Sequence, residues 1–178
     1  RFRHNREVQI FRGAYKEIIS NAQQKVECEC FELDDYENLN ELEIESVKVD
    51  CVSDNFIPLK IARDSLLLST NVTIKVSGYA EVFDEENSIW DSVDREYFYM
   101  AYADIDFTDA EAEVDCEILI SFDFDDPENT AQVMEFRLLN QGNICIDCEG
   151  ASIREIDEEE LSVRVLREDK GYPRRNTK

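Results

Sequence analysis

The first part of the chain places its apolar residues at helical spacing. They recur every three or four positions, with arginine and lysine between them: Val8, Ile10, Phe11, Tyr15, Ile18, Ile19 and Ala22. This period is typical of an amphipathic helix that buries one face. We therefore predict a helix over residues 1–25, interrupted at most at Gly13, which is either the first element of the fold or the end of a preceding domain.

From residue 26 onwards the apolar period changes to two, as in strands with one buried face. Val26, Cys28 and Cys30 alternate with glutamates and predict a first strand. The parity of the apolar positions slips near Ser46, and we expect a bulge or bend there. Residues 55–59 include a proline and are predicted to form a connection.

The strongest strand signals lie in the middle of the chain. Residues 72–82 and 114–124 alternate apolar and polar side chains, and Gly78 predicts a bulge or a close approach of another backbone. Residues 134–138 and 144–146 are separated by a segment that contains Asn-Gln-Gly-Asn, a composition typical of tight turns. This composition predicts a hairpin between those two segments.

The resulting order of elements is one helix followed by strands with short connections. Neither a repeated strand–helix–strand unit nor a glycine-rich phosphate-binding loop interrupts that order. The sequence therefore predicts the α+β class, with an N-terminal amphipathic helix followed by a mainly antiparallel β-sheet domain over residues 26–169. A last short strand is expected at 161–166, and a flexible basic tail at 170–178.

The net charge limits the partners that this domain can bind. The 178 residues include 19 lysines and arginines against 42 aspartates and glutamates, a formal net charge of −23 at pH 7. Binding to nucleic acid or to anionic membranes requires cationic groups, so we exclude both as direct partners. A basic protein surface is the expected partner.

Length and cysteine content indicate where the protein works. A chain of this size needs no disulfide cross-links, so its six cysteines are expected to be reduced. Those in alternating runs are expected to pack as small hydrophobes: Cys28, Cys30, Cys51 and Cys116. No apolar run approaches the roughly 20 residues of a membrane span, and no signal peptide opens the chain. We predict a cytoplasmic protein and, because the first residue is arginine, a fragment or processed product.

Acidic residues are concentrated in the second half of the chain. Between Arg95 and Arg137 there is no lysine, arginine or histidine. Because like charges that face each other across strands destabilise a sheet, an acidic face without lysines suggests a cationic partner. The predicted partner-binding residues are Asp104, Asp106, Asp109, Asp115, Glu117, Asp123, Asp125 and Asp126. An acidic surface that is merely solvated is the alternative.

Side chains for catalysis and metal binding are sparse. The single histidine, His4, leaves no Ser–His or Cys–His pair in the body of the chain. Cys145 and Cys148 form a CxxC motif that, with Cys28 and Cys30, has the ligand count of a four-thiolate zinc site. In an extended strand, however, Cys145 and Cys148 would point to opposite faces. We therefore predict no catalytic residue, no cofactor and no metal, with Cys145 and Cys148 as the residual metal candidates.

Aromatic residues concentrate in the segment that begins with Trp90. This tryptophan precedes an aromatic-rich strand predicted at 97–107. Such residues serve either a binding groove or a hydrophobic core. Because large aromatic side chains are mostly buried in folded proteins, we assign Trp90 and the neighbouring residues 97–100 to the core.

Three runs within residues 77–122 carry a family resemblance: Ser77-Gly78-Tyr79-Ala80-Glu81-Val82-Phe83, Trp90-Asp91, and Asp94-Arg95-Glu96-Tyr97-Phe98. They are similar to the β-rich segment that follows PIN-like nuclease domains in some bacterial proteins, over about a quarter of the chain. The resemblance implies that the chain is the acidic regulatory or docking portion of a larger bacterial protein. It implies no catalytic residue here, because the metal-binding aspartates of the nuclease would lie outside this segment.

Three functions are compatible with these observations. The first is a non-catalytic acidic binding or regulatory module that docks a basic protein, such as an accessory domain of a bacterial nuclease or defence-type protein. The second is a DNA-mimicking inhibitor of a nucleic-acid-binding protein, in which carboxylates stand about 7 Å apart along a strand; its candidates are Asp115, Glu117, Asp123 and Asp125. The third is a carboxylate- or metal-dependent hydrolase fragment, which needs acids that converge in a pocket.

Overall fold

The computed structural model describes residues 2–34, 39–140, 142–149 and 151–156. These residues form an α+β fold, as predicted, in which a long helix precedes a mainly antiparallel sheet. The elements are α1 (Phe2–Val26), β1 (Phe31–Leu33), β2 (Glu41–Val52), β3 (Ile57–Ile61), β4 (Ser65–Asp91), β5 (Glu96–Ser121), the one-turn helix α2 (Pro127–Thr130), β6 (Gln132–Leu138), β7 (Ile144–Ile146) and β8 (Ser152–Glu155).

The main sheet is built on one very long hairpin. Strand β4 has 27 residues and pairs in antiparallel register with β5, which has 26. Strands β2 and β3 both pair with β4, along the side of β4 that does not contact β5. Strands β6 and β8 pair with β5. Strands β1 and β7 form a separate parallel pair. The hairpin is therefore the scaffold on which every other strand of the main sheet is assembled.

One hydrophobic core joins the helix to the sheet. Apart from Tyr79, the buried residues of β4 and β5 point to one face of the sheet, here called the inner face, and the opposite face is called the outer face. Four residues of the predicted apolar stripe are buried in the same core, which confirms the helical period: Ile10, Phe11, Ile18 and Ala22. Ala14 and Val26 extend this buried stripe. Burial of this stripe, rather than helix propensity, stabilises α1.

Polar side chains of α1 fix it to both edges of the sheet. The side-chain amide of Gln23 donates to the carbonyl oxygen of Val47 in β2 at 2.8 Å and accepts from the backbone N–H of Val49 at 2.8 Å. At the other edge, the backbone N–H of Val133 in β6 donates to the Glu17 carboxylate at 2.6 Å. These contacts satisfy backbone groups that an edge strand otherwise leaves unpaired.

The predicted irregularities at Ser46 and Gly78 are both present. The register of β2 against β4 shifts between Ile44 and Ser46. The register of β4 against β5 shifts between Val76 and Gly78. An alanine at position 78 would also meet the carbonyl oxygen of Glu43, so this glycine permits a close approach of β2.

The hairpin predicted between residues 134–138 and 144–146 is wrong. Gly142 does adopt a φ of 115°, a conformation typical of turns. The two flanking strands nevertheless do not pair with each other. Strand β6 pairs with β5, and β7 pairs in parallel with β1. In these positions Phe136 and Ile144 both reach the hydrophobic core.

Two further local predictions are corrected by the structure. The strand expected from residue 26 does not form, because Val26 is fully buried one helical turn after Ala22 and prolongs the apolar stripe of α1. The connection expected at 55–59 is replaced from Ile57 onwards by β3. Its proline, Pro58, is tolerated because β3 is an edge strand of the sheet.

Some predictions concern residues beyond the described ones. The strand expected at 161–166 and the tail expected at 170–178 both lie outside the described residues. Within the part of the chain that the structure describes, no helix is long and apolar enough to cross a membrane.

Candidate interaction surface

The outer face of β5 carries a row of carboxylates. Ile105 and Phe107 are buried, and so are Ala110 and Ala112, so the buried parity changes within β5. One extra residue in β5 opposite Ser77 causes this change, and Asp109 takes a φ of 58° there. As a result, the acids before and after the bulge share the outer face: Asp104, Asp106, Glu111, Glu113, Asp115 and Glu117.

Cations from neighbouring strands interrupt this acidic row. The Lys75 ammonium lies 3.8 Å from Asp50 and 3.9 Å from Glu111. The linear run without lysine or arginine is therefore not a surface without cations. Two further cations pair with β5 acids: Arg137 lies 3.9 Å from Glu117, and Arg154 lies 3.1 Å from Asp106. These exposed ion pairs contribute little to stability, since water screens them.

The other predicted acids lie away from this row. Asp109 is in the bulge, where its backbone N–H donates to Ser77 Oγ at 3.1 Å. Strand β5 ends at Ser121, so Asp123, Asp125 and Asp126 belong to the loop before α2 rather than to a strand. Two of the loop acids accept local hydrogen bonds, Asp123 from the backbone N–H of Asp125 at 3.0 Å and Asp126 from the Asn129 amide at 2.9 Å. The structure thus separates the eight predicted residues into an outer-face group, a bulge residue and a loop group.

Asp104 has a neutral partner on the outer face. The Tyr79 hydroxyl donates a hydrogen bond to its carboxylate. Burial raises the pKa of Tyr79, and the bond to Asp104 raises it further because the bond favours the protonated phenol. Tyr79 therefore stays neutral over the physiological range and orients one carboxylate of the row.

The six cysteines are free thiols, but most of them do not pack as small hydrophobes. Only Cys116 of the four expected in buried strands is buried, and burial raises the pKa of its thiol to about 12. The other three are exposed, because two follow the end of α1 and one faces away from the core: Cys28, Cys30 and Cys51. That part of the prediction is wrong.

The two metal candidates point in different directions. Cys145 is exposed, and its Sγ donates to the Glu32 carboxylate at 2.9 Å. This hydrogen bond, followed by desolvation, raises the pKa of Cys145. Cys148 is buried in the core. Among the residues that the structure describes, no group of three or more histidine, cysteine or acidic side chains could hold a metal ion.

Thiol reactivity provides a direct check of this arrangement. In the folded protein at pH 8, we expect iodoacetamide to label Cys28, Cys30 and Cys51 first, because the thiolate is the reactive form. Cys145 should react more slowly, and Cys116 only after unfolding in urea. Peptide mass spectrometry of timed samples measures the order. Labelling of Cys116 as fast as Cys51 would contradict the burial of β5.

An open cavity of about 420 Å³ lies on the outer face where β3 to β6 meet. Leu67 and Leu119 form its apolar part. The charged residues that line it are Lys60, Glu117, Glu135 and Arg137. Arg137 bonds to Glu135 at 2.7 Å and lies 3.9 Å from Glu117, so one cation accompanies both carboxylates of the cavity. The convergent acids that a hydrolase requires are therefore not assembled here.

The far end of the β4–β5 hairpin projects beyond the core. We call residues 83–102 the arm; none of them is buried. The arm contains half of the exposed large hydrophobic residues in the described part of the chain. Trp90 is 53% exposed and Phe98 is 81% exposed. The assignment of Trp90 and residues 97–100 to the core is therefore wrong, because no residue of the arm belongs to the hydrophobic core.

Comparison of this chain with protein-family models, with curated proteins and with solved structures finds no match.

Proposed function

We propose that this protein is a non-catalytic, acidic binding or regulatory module that docks a basic protein partner. The observation that supports this proposal is the bulge at Asp109, which puts the acids of both halves of β5 on one open face. A row of carboxylates on a rigid strand attracts cations over a distance of about 10 Å at moderate salt. The free state of all six thiols supports a reducing, cytoplasmic location.

The sequence resemblance supports a bacterial setting for the proposal. A module that accompanies a PIN-like nuclease would regulate it, or recruit a basic partner to it, without contributing metal ligands of its own. The outer face suits this role, because Glu111, Glu113 and Asp115 are exposed there and accessible to a second protein.

The two other functions have less structural support. A DNA mimic needs its carboxylates in one elongated array, but Asp123 and Asp125 lie in a loop beyond the end of β5. Lys75 and Arg137 also interrupt the array on the outer face. A hydrolase fragment needs converging acids, and the outer-face acids stand side by side along a strand instead.

Charge neutralisation at two places tests the proposal. The variant E113Q/D115N/E117Q removes three charges from the outer face, and the control D123N/D125N/D126N removes three from the loop before α2. A basic protein retained from bacterial lysate at low salt should bind the first variant about tenfold more weakly, roughly 0.5 kcal/mol for each exposed charge. The control should stay within about twofold of the wild type, since surface substitutions of this kind change little.

The measurement is a salt-gradient elution of the immobilised proteins, followed by titration of the purified partner. Because both variants have the same net charge, a difference between them reports the outer face itself. Equal weakening of both variants would indicate a non-specific charge effect, and the absence of any discrete basic protein would contradict the proposed function.

A further inference from the structure

The arm presents an apolar surface that the core does not use. Its most exposed apolar residues are Val93, 86% exposed, and Phe98, 81% exposed. Trp90, Ile89 and Tyr99 are each more than half exposed. A monomeric protein rarely leaves so many large apolar side chains in water at one end of its fold unless they bind something.

The aromatic rings of the arm are arranged before any partner arrives. Tyr97 packs edge-on against Phe83 and against Trp90, with ring centroids 4.9 Å apart in each case. Tyr102 extends the row, 6.2 Å from Phe83. Because the rings already support one another, a partner would not have to order them, and less conformational entropy would be lost on binding.

The tip of the arm is also ordered by local bonds. The Asp91 carboxylate accepts the backbone N–H of Val93 at 2.7 Å and that of Asp94 at 3.3 Å. The backbone N–H of Arg95 donates to the Asp91 carbonyl at 2.9 Å. The turn therefore holds Val93 and the adjacent strand ends in one arrangement.

Charge selects the kind of partner. The arm contains six acids and a single cation, Arg95; the acids are Asp84, Glu85, Glu86, Asp91, Asp94 and Glu96. A second copy of this chain would bring the same acids against one another, which like-charge repulsion opposes. An anionic membrane is disfavoured for the same reason. A cationic segment with apolar side chains complements both features.

We propose that the arm is the docking site for a basic, apolar segment of a partner protein. The apolar side chains of that segment cover Trp90 and Phe98, while its lysines and arginines pair with the acids of the arm and stack on the aromatic faces. This inference rests on the proposed function and deepens it, because it names the surface and the chemistry of the bound segment. The outer-face carboxylates then steer the encounter, and the arm holds the complex together.

The single tryptophan of the chain provides a fluorescence probe of binding to the arm. Trp90 is the only tryptophan in the chain, so its fluorescence reports on the arm alone. The probe is a ten-residue peptide of alternating leucine and lysine. The two control peptides are alternating serine and lysine, which keeps the charge, and alternating leucine and glutamate, which keeps the apolar residues. We expect a saturable shift of Trp90 emission to shorter wavelength with leucine–lysine, and affinity at least tenfold lower for both controls.

A matched pair of variants locates the site. The variant F98S/Y99S removes two exposed apolar residues from the arm, and the control I57S/I61S removes two from β3, which are also more than half exposed. Both should fold, as judged by circular dichroism, because neither pair is buried. The arm variant should lose peptide affinity at least tenfold, while the β3 variant stays within twofold of the wild type.

Several results would overturn the inference. Equal binding of the leucine–lysine and serine–lysine peptides, or unchanged affinity in F98S/Y99S, would show that the arm is not the docking site. The outer-face variant E113Q/D115N/E117Q would still test the proposed function independently. A chain cut after Ile156 whose Trp90 emission moves to longer wavelength would show instead that residues 157–178 occupy the arm. A dimer in sedimentation that F98S/Y99S abolishes would identify a second copy as the occupant.

Discussion

Replacing Gly78 by alanine is expected to lower the free energy of unfolding by about 3 kcal/mol, the upper end of the usual cost of overpacking. The added methyl group would overlap the carbonyl oxygen of Glu43 in β2 and would stand 3.0 Å from Cζ of Phe107. Both distances are too short for a normal contact. Either β2 must move away from β4, or the Phe107 ring must rotate.

Neither neighbour of Gly78 can yield at low cost. Glu43 belongs to the backbone ladder between β2 and β4, so a shift of its carbonyl group disturbs adjacent hydrogen bonds. Phe107 is only 1% exposed and lies in the closely packed core, where a new ring orientation would collide with other side chains. The destabilisation should therefore appear in full rather than be absorbed by relaxation.

Urea unfolding followed by far-ultraviolet circular dichroism measures this effect. The control is Ser69→Ala, a substitution in the same strand at a partly exposed position of the outer face, which should stay within about 0.5 kcal/mol of the wild type. A Gly78→Ala protein as stable as the Ser69→Ala protein would mean that β2 does not approach β4 as closely as described.

The elements that the sequence predicts well are those set by local periodicity. The stripe from Ile10 to Ala22 and the alternation after Val114 depend only on neighbouring residues, and both are confirmed. The pairing of β6 and β7 depends on distant parts of the chain. Phe136 and Ile144 need the core that α1 and β5 provide, and turn composition between them contains no information about that core.

The acidic row was predicted from composition, but its geometry depends on one residue. Alternation alone places Asp104 and Asp106 on the opposite face from Asp115. The extra residue at Asp109 reverses the parity and brings them together. Aspartate tolerates positive φ better than most residues, and this tolerance is the only local signal of the bulge.

The arm shows why aromatic composition cannot by itself assign burial. Ile89-Trp90 and the run 97–101 place apolar residues at both parities, a pattern that fits a strand buried on both faces equally well. Burial of these residues is decided by how far the hairpin extends beyond the hydrophobic core. The core ends at Val82, whose partner is Ala103, and the strands continue beyond it.

Replacing Gly13 by alanine should also destabilise the protein, although the same change in an ordinary exposed helix stabilises it by about 1 kcal/mol. The added methyl group would overlap the carbonyl oxygen of Glu128 in α2 and would lie 3.1 Å from Cβ of Ala131. We expect a net loss of about 2 kcal/mol in the free energy of unfolding, since overpacking exceeds the gain in helix propensity.

The control for Gly13→Ala is Ser20→Ala, at an exposed position of the same helix, which should raise the stability by a few tenths of a kcal/mol. Thermal and urea unfolding measure the stability of both variants. Each substitution adds helix propensity, but only the methyl group at position 13 meets a neighbouring element, α2. If Gly13→Ala proves about 1 kcal/mol more stable than the wild type, α2 can move away from α1. The loop that carries Asp123, Asp125 and Asp126 would then not be held in place by the helix. If Gly13→Ala is destabilised, the backbone contact between Gly13 and Glu128 fixes that loop, because the loop leads directly into α2.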